Sequence, residues 1–255
     1  MRSLFLFAHP DDEFGCYESI RREALSGQEI VCCYLTDGGF EGQSVERRET
    51  ESLHVLTRLG VCRENVKFIG RRVGIPDGSL PCNMLRAAEA VKASVGPGDD
   101  VDVVFTPAWE GGHQDHDAAN ILACVVSGAL RPKRGLWQFS LYNGAGLRGY
   151  LFRVLTPLPS NGPVDTQALS ISLRMKYLRF CFAYPSQWKT WLGLLPFVAV
   201  RLVLGGCYFL QRAALPPVVR RPHGGPLLYE RRGMDKFDRV ERYITEFIKQ
   251  SANCL

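Results

Sequence analysis

The sequence predicts an α/β protein with a mainly parallel sheet, helices on both faces of that sheet, and an irregular C-terminal elaboration. Three observations carry this. Over residues 1–142, short β-branched or aromatic runs alternate with longer helix-like stretches, the pattern of successive βαβ units. Acidic and metal-capable side chains stand just past two of the predicted strands, where open α/β sheets place their ligands. A chain of 255 residues that is 46% apolar can bury one large core. Residues 1–255 therefore read as a single domain, with a core over 1–142 and the elaboration over 143–255.

The first strand is expected at Ser3–Ala8, followed by a helix over Asp12–Ser26 that Gly27 stops. Strands at Glu29–Leu35, Asn65–Ile69, Val101–Phe105 and Trp137–Tyr142 then alternate with helices at Val45–Leu59, stopped by Gly60, at Asn83–Ser94 and at His116–Leu130. The outline is Rossmann-like. No Gly-x-Gly-x-x-Gly follows the first strand, so the phosphate-cradling turn of a nicotinamide cofactor site is not expected. From Asn143 to Asp165 the chain is rich in Gly, Pro and Asn and reads as loop. Helices are expected at Ser172–Phe182 and, with Phe237, Val240, Ile244 and Phe247 on one side, at Met234–Lys249.

The run Thr190–Leu210 has a single charge, Arg201, and is nearly long enough to span a bilayer. Its Leu, Val and Phe residues contribute roughly −3 to −7 kcal/mol on the insertion scale against about +2.5 to +3.5 for a central Arg. Pro196 and three glycines weaken insertion further. The expectation is a buried or partly exposed helical hairpin. The second reading is a segment at an anionic membrane face, because Trp188, Trp191 and Tyr208 flank the run and Arg212, Arg220, Arg221, Arg231 and Arg232 follow it.

A net charge of +5 is too small to imply nucleic-acid binding. Nine scattered cysteines read as reduced thiols. The N-terminal apolar run Leu4–Ala8 is too short for a signal peptide, so a cytoplasmic location is expected, peripheral to a membrane if the second reading of the apolar run holds.

Chemistry concentrates in two motifs, His9-Pro10-Asp11-Asp12-Glu13 after the first strand and His113-Gln114-Asp115-His116 after the fourth. In the commonest doubly wound orders these strands are neighbours where the sheet reverses direction, so the motifs would share one crevice. Catalytic zinc needs three protein ligands and a fourth position for water, and His9, Asp12 and His116 supply them. Ferrous iron accepts the same donors. Adjacent Asp11 and Asp12 point different ways, which leaves Asp11 as general base. His113, protonated, would donate to the departing amine or the oxyanion, with Asp115 hydrogen-bonded to it and raising its pKa. Alone, each motif has an ordinary reading, His-x-x-His as a surface or core pair and Asp-Asp-Glu as a helix cap. Their pairing carries the inference.

On Ala8-His9-Pro10-Asp11-Asp12-Glu13, Thr36-Asp37-Gly38, Arg48-x-x-Glu51 leading to Leu59-Gly60, Pro76-Asp77-Gly78 and His113-x-Asp115-His116, residues 1–142 resemble the LmbE-like (PIG-L) N-deacetylases. Tyr184-Pro185-Ser186-Gln187 matches more loosely. The resemblance implies a Rossmann-like fold, a catalytic zinc, and hydrolysis of an acetamide on a glucosamine-type sugar to acetate and free amine. It assigns metal ligation to His9, Asp12 and His116, the base to Asp11, and the acid or oxyanion role to His113. It also implies sugar contacts for Arg48 and Asp77, although Arg48 could instead pair with Glu51 on a helix surface. Tyr184 is either an oxyanion donor or a packed aromatic. The elaboration after Tyr142 favours a lipid-linked or polymeric N-acetylated sugar. Two rivals stand beside this reading: a zinc amidase acting on a non-sugar N-acyl group, and a catalytically idle, membrane-associated binding protein. Intact Asp11 and His113 argue against the second.

Overall fold

In the computed structural model the first two βα units run β1 (Arg2–Phe7), α1 (Tyr17–Leu25), β2 (Glu29–Tyr34) and α2 (Val45–Leu59). Next come β3 (Val66–Phe68), α3 (Ile69–Val73), α4 (Met84–Val95), β4 (Val101–Pro107), α5 (Gln114–Leu130) and β5 (Leu136–Phe139). Beyond them lie β6 (Tyr142–Asn143), β7 (Arg153–Val154), β8 (Val164–Ala168), α6 (Ile171–Phe180), α7 (Trp188–Val200), β9 (Cys207–Arg212), α8 (Leu228–Arg231) and α9 (Phe237–Cys254). The structure describes residues 1–254 except 40, 41, 43, 97–99, 216 and 218, and only the backbone of 253 and 254.

Seven strands form one sheet in the order β3-β2-β1-β4-β5-β9-β8. The first five are parallel, in an order shared with doubly wound proteins, and β9 and β8 continue the sheet antiparallel. β1 sits at the switch point, between β2 and β4. Its side chains alternate between two cores, as the two-residue period of a strand requires. Leu4 and Leu6 pack with α4, α5 and α9, while Phe5 and Phe7 pack with α1, α2, α6 and α7. Because both faces are covered, the central strands carry unbroken apolar runs.

The core strands and helices agree with the sequence expectations to within a few residues, with two local differences that matter for the site. The helix expected from Asp12 is split into a 3-10 turn over Asp12–Gly15 and α1, with the break at Cys16, whose φ of −145° is not helical. α5 begins at Gln114 rather than His116, with His113 as its N-cap.

The elaboration departs further. The apolar run is not a helical hairpin: α7 ends in a π-turn over Arg201–Gly205, and the chain then enters the sheet as β9 beside β5. β8, whose first two residues end the stretch expected as loop, pairs along β9. Most of the arginines expected to face a membrane are engaged within the fold. Arg212 stacks on Trp137, Arg221 pairs with Glu230 at 2.7 Å, Arg231 donates to the Pro226 carbonyl at 2.9 Å, and Arg232 lies over Tyr142 and Phe152. The eight cysteines whose side chains are described are all unpaired.

One close approach ties α3 to the loop that follows β2. A Cβ on Gly70 would stand 2.2 Å from the Thr36 Cα, and Thr36 leads into Asp37, whose carboxylate accepts from the Asp77 N–H at 3.1 Å. Gly70→Ala must therefore push the loop away. The expected cost is about 1–3 kcal/mol, read as a lower urea midpoint with an unchanged slope. An unchanged midpoint would show that the contact is soft.

Candidate metal and catalytic site

The site lies where β1 and β4 end side by side. β4 leads into the loop from Ala108 to His113, and two buried carboxylates shape that loop. Glu110 accepts from the backbone N–H groups of Leu141 (2.7 Å) and Tyr142 (2.9 Å), from the Asn143 side-chain amide at 3.1 Å, and from the Ser140 hydroxyl. Asp117 accepts from the N–H groups of Glu110 and Gly111, each at 3.1 Å. Burial raises both pKa values, that of Asp117 to about 8. At Gly112 a Cβ would collide with the Tyr142 carbonyl at 2.0 Å, so the loop passes β6 only because the residue is glycine. These supports present His113 and His116 at the first turn of α5.

Four donor atoms from three residues converge there. His9 Nδ1 lies 3.3 Å from His116 Nε2, His116 Nε2 lies 3.0 Å from Asp12 Oδ1, and His9 Nδ1 lies 3.7 Å from Asp12 Oδ2. A tetrahedral zinc site with bonds of about 2.0–2.1 Å sets its ligand atoms about 3.3 Å apart. The three separations bracket that value, so the residues fit a metal ion of this kind. The far edge of His9 is held as metal-bound imidazoles usually are: Nε2 faces Asp115 Oδ2 at 3.0 Å and Asp77 Oδ1 at 3.3 Å, which keeps the proton on Nε2 and turns the Nδ1 lone pair inward. His9, His113 and Asp115 form a second group of clustered ligand atoms. In that group Asp115 is already bonded by the N–H groups of Gly78 (2.6 Å) and Leu80 (3.1 Å), so the first set suits an ion better.

The electrostatics agree with a cation site. Burial alone would raise the pKa of Asp12, but His116 and His9 outweigh it and hold Asp12 well below the usual carboxylate range. Burial likewise opposes charge on His9, yet Asp77, Asp115 and Asp12 hold its pKa well above the usual value. The carboxylates that would keep a proton on His9 are equally suited to a bound cation.

Beside this set lies a second cluster. Asp11 faces Arg48, whose Nη2 is 3.5 Å from Asp11 Oδ1 and 2.7 Å from the Pro10 carbonyl. Arg48 Nη1 donates to the Gly38 carbonyl and lies 3.5 Å from Asp77 Oδ2. Arg48 is buried, and the partner of Glu51 is Arg47 at 3.1 Å, so the surface-pair alternative for Arg48 is set aside. The left-handed backbone of Asp11 is sterically disfavoured for a non-glycine residue. Arg48 on the Pro10 carbonyl and Glu13, whose Oε2 accepts from the Asp11 N–H at 3.1 Å, hold it in place. Burial lifts the pKa of Asp11 to about 8, against the pull of Arg48.

Two expectations need correction. His113 is not an imidazolium braced by the Asp115 carboxylate. Burial, with His9 next in effect, lowers its pKa to about 4, and its Nδ1 accepts from the Asp115 backbone N–H at 3.1 Å. The neutral ring therefore carries its proton on Nε2, which points toward Asp77 at 3.9 Å. The Asp115 carboxylate serves His9 instead. Tyr184 is 2% exposed and does not line the site; its hydroxyl meets Glu13 Oε1 at 2.9 Å and Tyr17 at 3.0 Å, which is the packed-aromatic alternative. Sequence reasoning did not single out Glu13, Glu110 or Asp117 as supports. The only available signal was their position within or beside the two motifs.

Residues 4–126 match the model of the family described as PIG-L: GlcNAc-PI de-N-acetylase. No curated protein matches the chain. Among solved structures, a triple mutant of a deacetylase involved in teicoplanin biosynthesis is similar at 16% identity and a TM-score of 0.61, over 84% of this chain and 98% of its own. A conserved protein from Thermus thermophilus is 22% identical with a TM-score of 0.57, over 88% and 98%. The N,N'-diacetylchitobiose deacetylase of Pyrococcus horikoshii, solved with an inhibitor, is 18% identical with a TM-score of 0.56, over 82% and 81%. At these identities the likeness is one of fold.

Proposed function

Starting from the PIG-L match of residues 4–126, we propose that the chain is a metal-dependent hydrolase that removes acetyl from an N-acetylated amino sugar of the GlcNAc type, releasing acetate and a free amine. The observation that carries the reading is the inward triangle of His9 Nδ1, Asp12 and His116 Nε2, with Asp11 and the Nε2–H of His113 beside it. Deacetylases among the solved structures of similar fold support the substrate class.

His9, Asp12 and His116 would hold the metal, with zinc and ferrous iron both compatible with this donor set. When bound, zinc supplies a Lewis acid for the acetamide carbonyl and a water of lowered pKa. Asp11 is the base, and its raised pKa lets it take a proton and release it near neutrality. His113 donates its Nε2–H to the developing oxyanion as a neutral ring, which needs no change of protonation during the reaction. Its place at the start of α5 supports this, since a helix N-terminus disfavours a cationic ring. Asp115 is a positioning residue that orients His9. Arg48, filled by the Gly38 and Pro10 carbonyls, positions Asp11, while the partly exposed Asp77 keeps the sugar-contact role.

A panel of N-acetylglucosaminides and N-acetyl amino acids, assayed for free amine, tests the substrate class. Release from glycosides supports the proposal; release from N-acetyl amino acids alone would favour the non-sugar amidase. Asp115→Asn keeps the size of the side chain but replaces one acceptor of the Asp115 set. It is expected to weaken metal binding about 10- to 100-fold, measured by competition with a chromophoric chelator. Unchanged affinity would remove Asp115 from the support of His9.

A further inference from the structure

We propose that the protein docks on an anionic lipid bilayer through the outward face of α7 and the loop between β6 and β7. α7 is apolar over most of its surface, with Lys189 and Thr190 exposed in its first turn. Its inner face, with Trp191, Leu194 and Val198, is buried against the sheet, and Trp191 meets Phe14 with ring centroids 5.4 Å apart. Its outer face exposes Trp188 (61%), Leu192 (72%), Phe197 and Val200, and the π-turn after it exposes Leu204 (78%). A helix at the surface of a water-soluble domain ordinarily turns a polar face outward, and a contiguous apolar patch marks a partner.

Pro185–Gly205 is long and apolar enough to cross a membrane. Its inner face is part of the core, however, and the chain goes straight on into β9, so the segment can lie on a bilayer but not thread it. The loop adds exposed Tyr150 (72%) and Leu151 (62%), with Arg148 and Arg153 exposed beside them. Aromatic and aliphatic tips among basic residues suit the headgroup boundary.

Charge selects the occupant. The loop between β6 and β7 carries exposed Arg148, Arg153 lies exposed just after it, and α7 carries exposed Lys189, with no acidic residue in either segment. A second copy packed on this face would set two basic surfaces against each other, whereas anionic headgroups complement them. The surface also reaches the candidate site: Phe197 meets Phe152 (5.4 Å), Phe152 meets Tyr142 (6.3 Å), and Tyr142 meets the His116 ring (5.4 Å). Docking stands independently of the deacetylase reading; only the delivery of a lipid-linked sugar rests on it.

Co-sedimentation of the full chain with vesicles of phosphatidylcholine alone, or mixed with phosphatidylglycerol, tests this without any turnover assay. Binding is expected with the mixed vesicles only, and it should weaken as salt is added. Leu192→Glu with Leu204→Glu, and separately Arg148→Glu with Arg153→Glu, should each weaken partitioning about tenfold or more, with circular dichroism unchanged. Absence of sedimentation with either vesicle, equal sedimentation with both, or lipid-free dimers that the double Leu variant dissolves would each overturn the proposal.

Discussion

Asp11→Asn is expected to keep the metal and lose between about 10²- and 10⁴-fold in turnover, the range for removing a positioned general base. The substitution is nearly isosteric. Asp12 Oδ2 would still accept from the His9 N–H at 2.8 Å, and Glu13 from the backbone N–H of residue 11, so the metal-facing atoms should stay in place. What changes is that an amide cannot take the proton of an attacking water. The informative result is the split: elemental analysis unchanged, turnover collapsed. Normal turnover would pass the base role to another group, while joint loss of metal and turnover would mean that Asp11 belongs to the metal set.

His116→Ala should lose both. His116 Nε2 stands within 3.3 Å of a donor atom on each of the other two residues, so its removal leaves two ligands, one short of the three protein ligands of a catalytic zinc site. It also breaks a buried pair with Asp12, and breaking such pairs costs about 3–5 kcal/mol. Denaturant melts and circular dichroism must therefore accompany the metal assay. A folded variant with full metal occupancy would remove His116 from the ligand list.

The central fold was legible because its signals are local and repeated. Strands buried on both faces show as unbroken apolar runs, helices as 3.6-residue stripes, and the two motifs fall at strand ends, which is why the sequence alone places β1 and β4 side by side. The antiparallel extension was not legible. β8 reads Val164-Asp165-Thr166-Gln167-Ala168, a polar edge strand with Gln167 alone buried. β9 is an apolar segment at the end of a longer apolar run, and periodicity cannot separate a buried strand from a buried helix over so few residues.

Within the site, spacing indicated which side chains would meet but not their protonation or partners. His113 and Asp115 are two residues apart, which suggested a pair; the helix start instead sends the Asp115 carboxylate to His9 and leaves His113 neutral. Arg48 and Glu51 sit three apart on α2, which suggested an ion pair. Burial of Arg48 against the Gly38 and Pro10 carbonyls turns it to the loop of Asp11 instead. Such outcomes depend on tertiary burial, which no short stretch of sequence encodes.

The most direct test of a metal-dependent sugar N-deacetylase is to strip the protein with a chelator and add zinc back while following acetate and amine release from an N-acetylglucosaminide. The expected result is no release by the stripped protein, then equal amounts of both products, rising to a plateau near one zinc per chain. Full activity after stripping, or no acetate from any N-acetylated sugar once metal is restored, would contradict the account; the second outcome would leave the idle binding protein as the better reading.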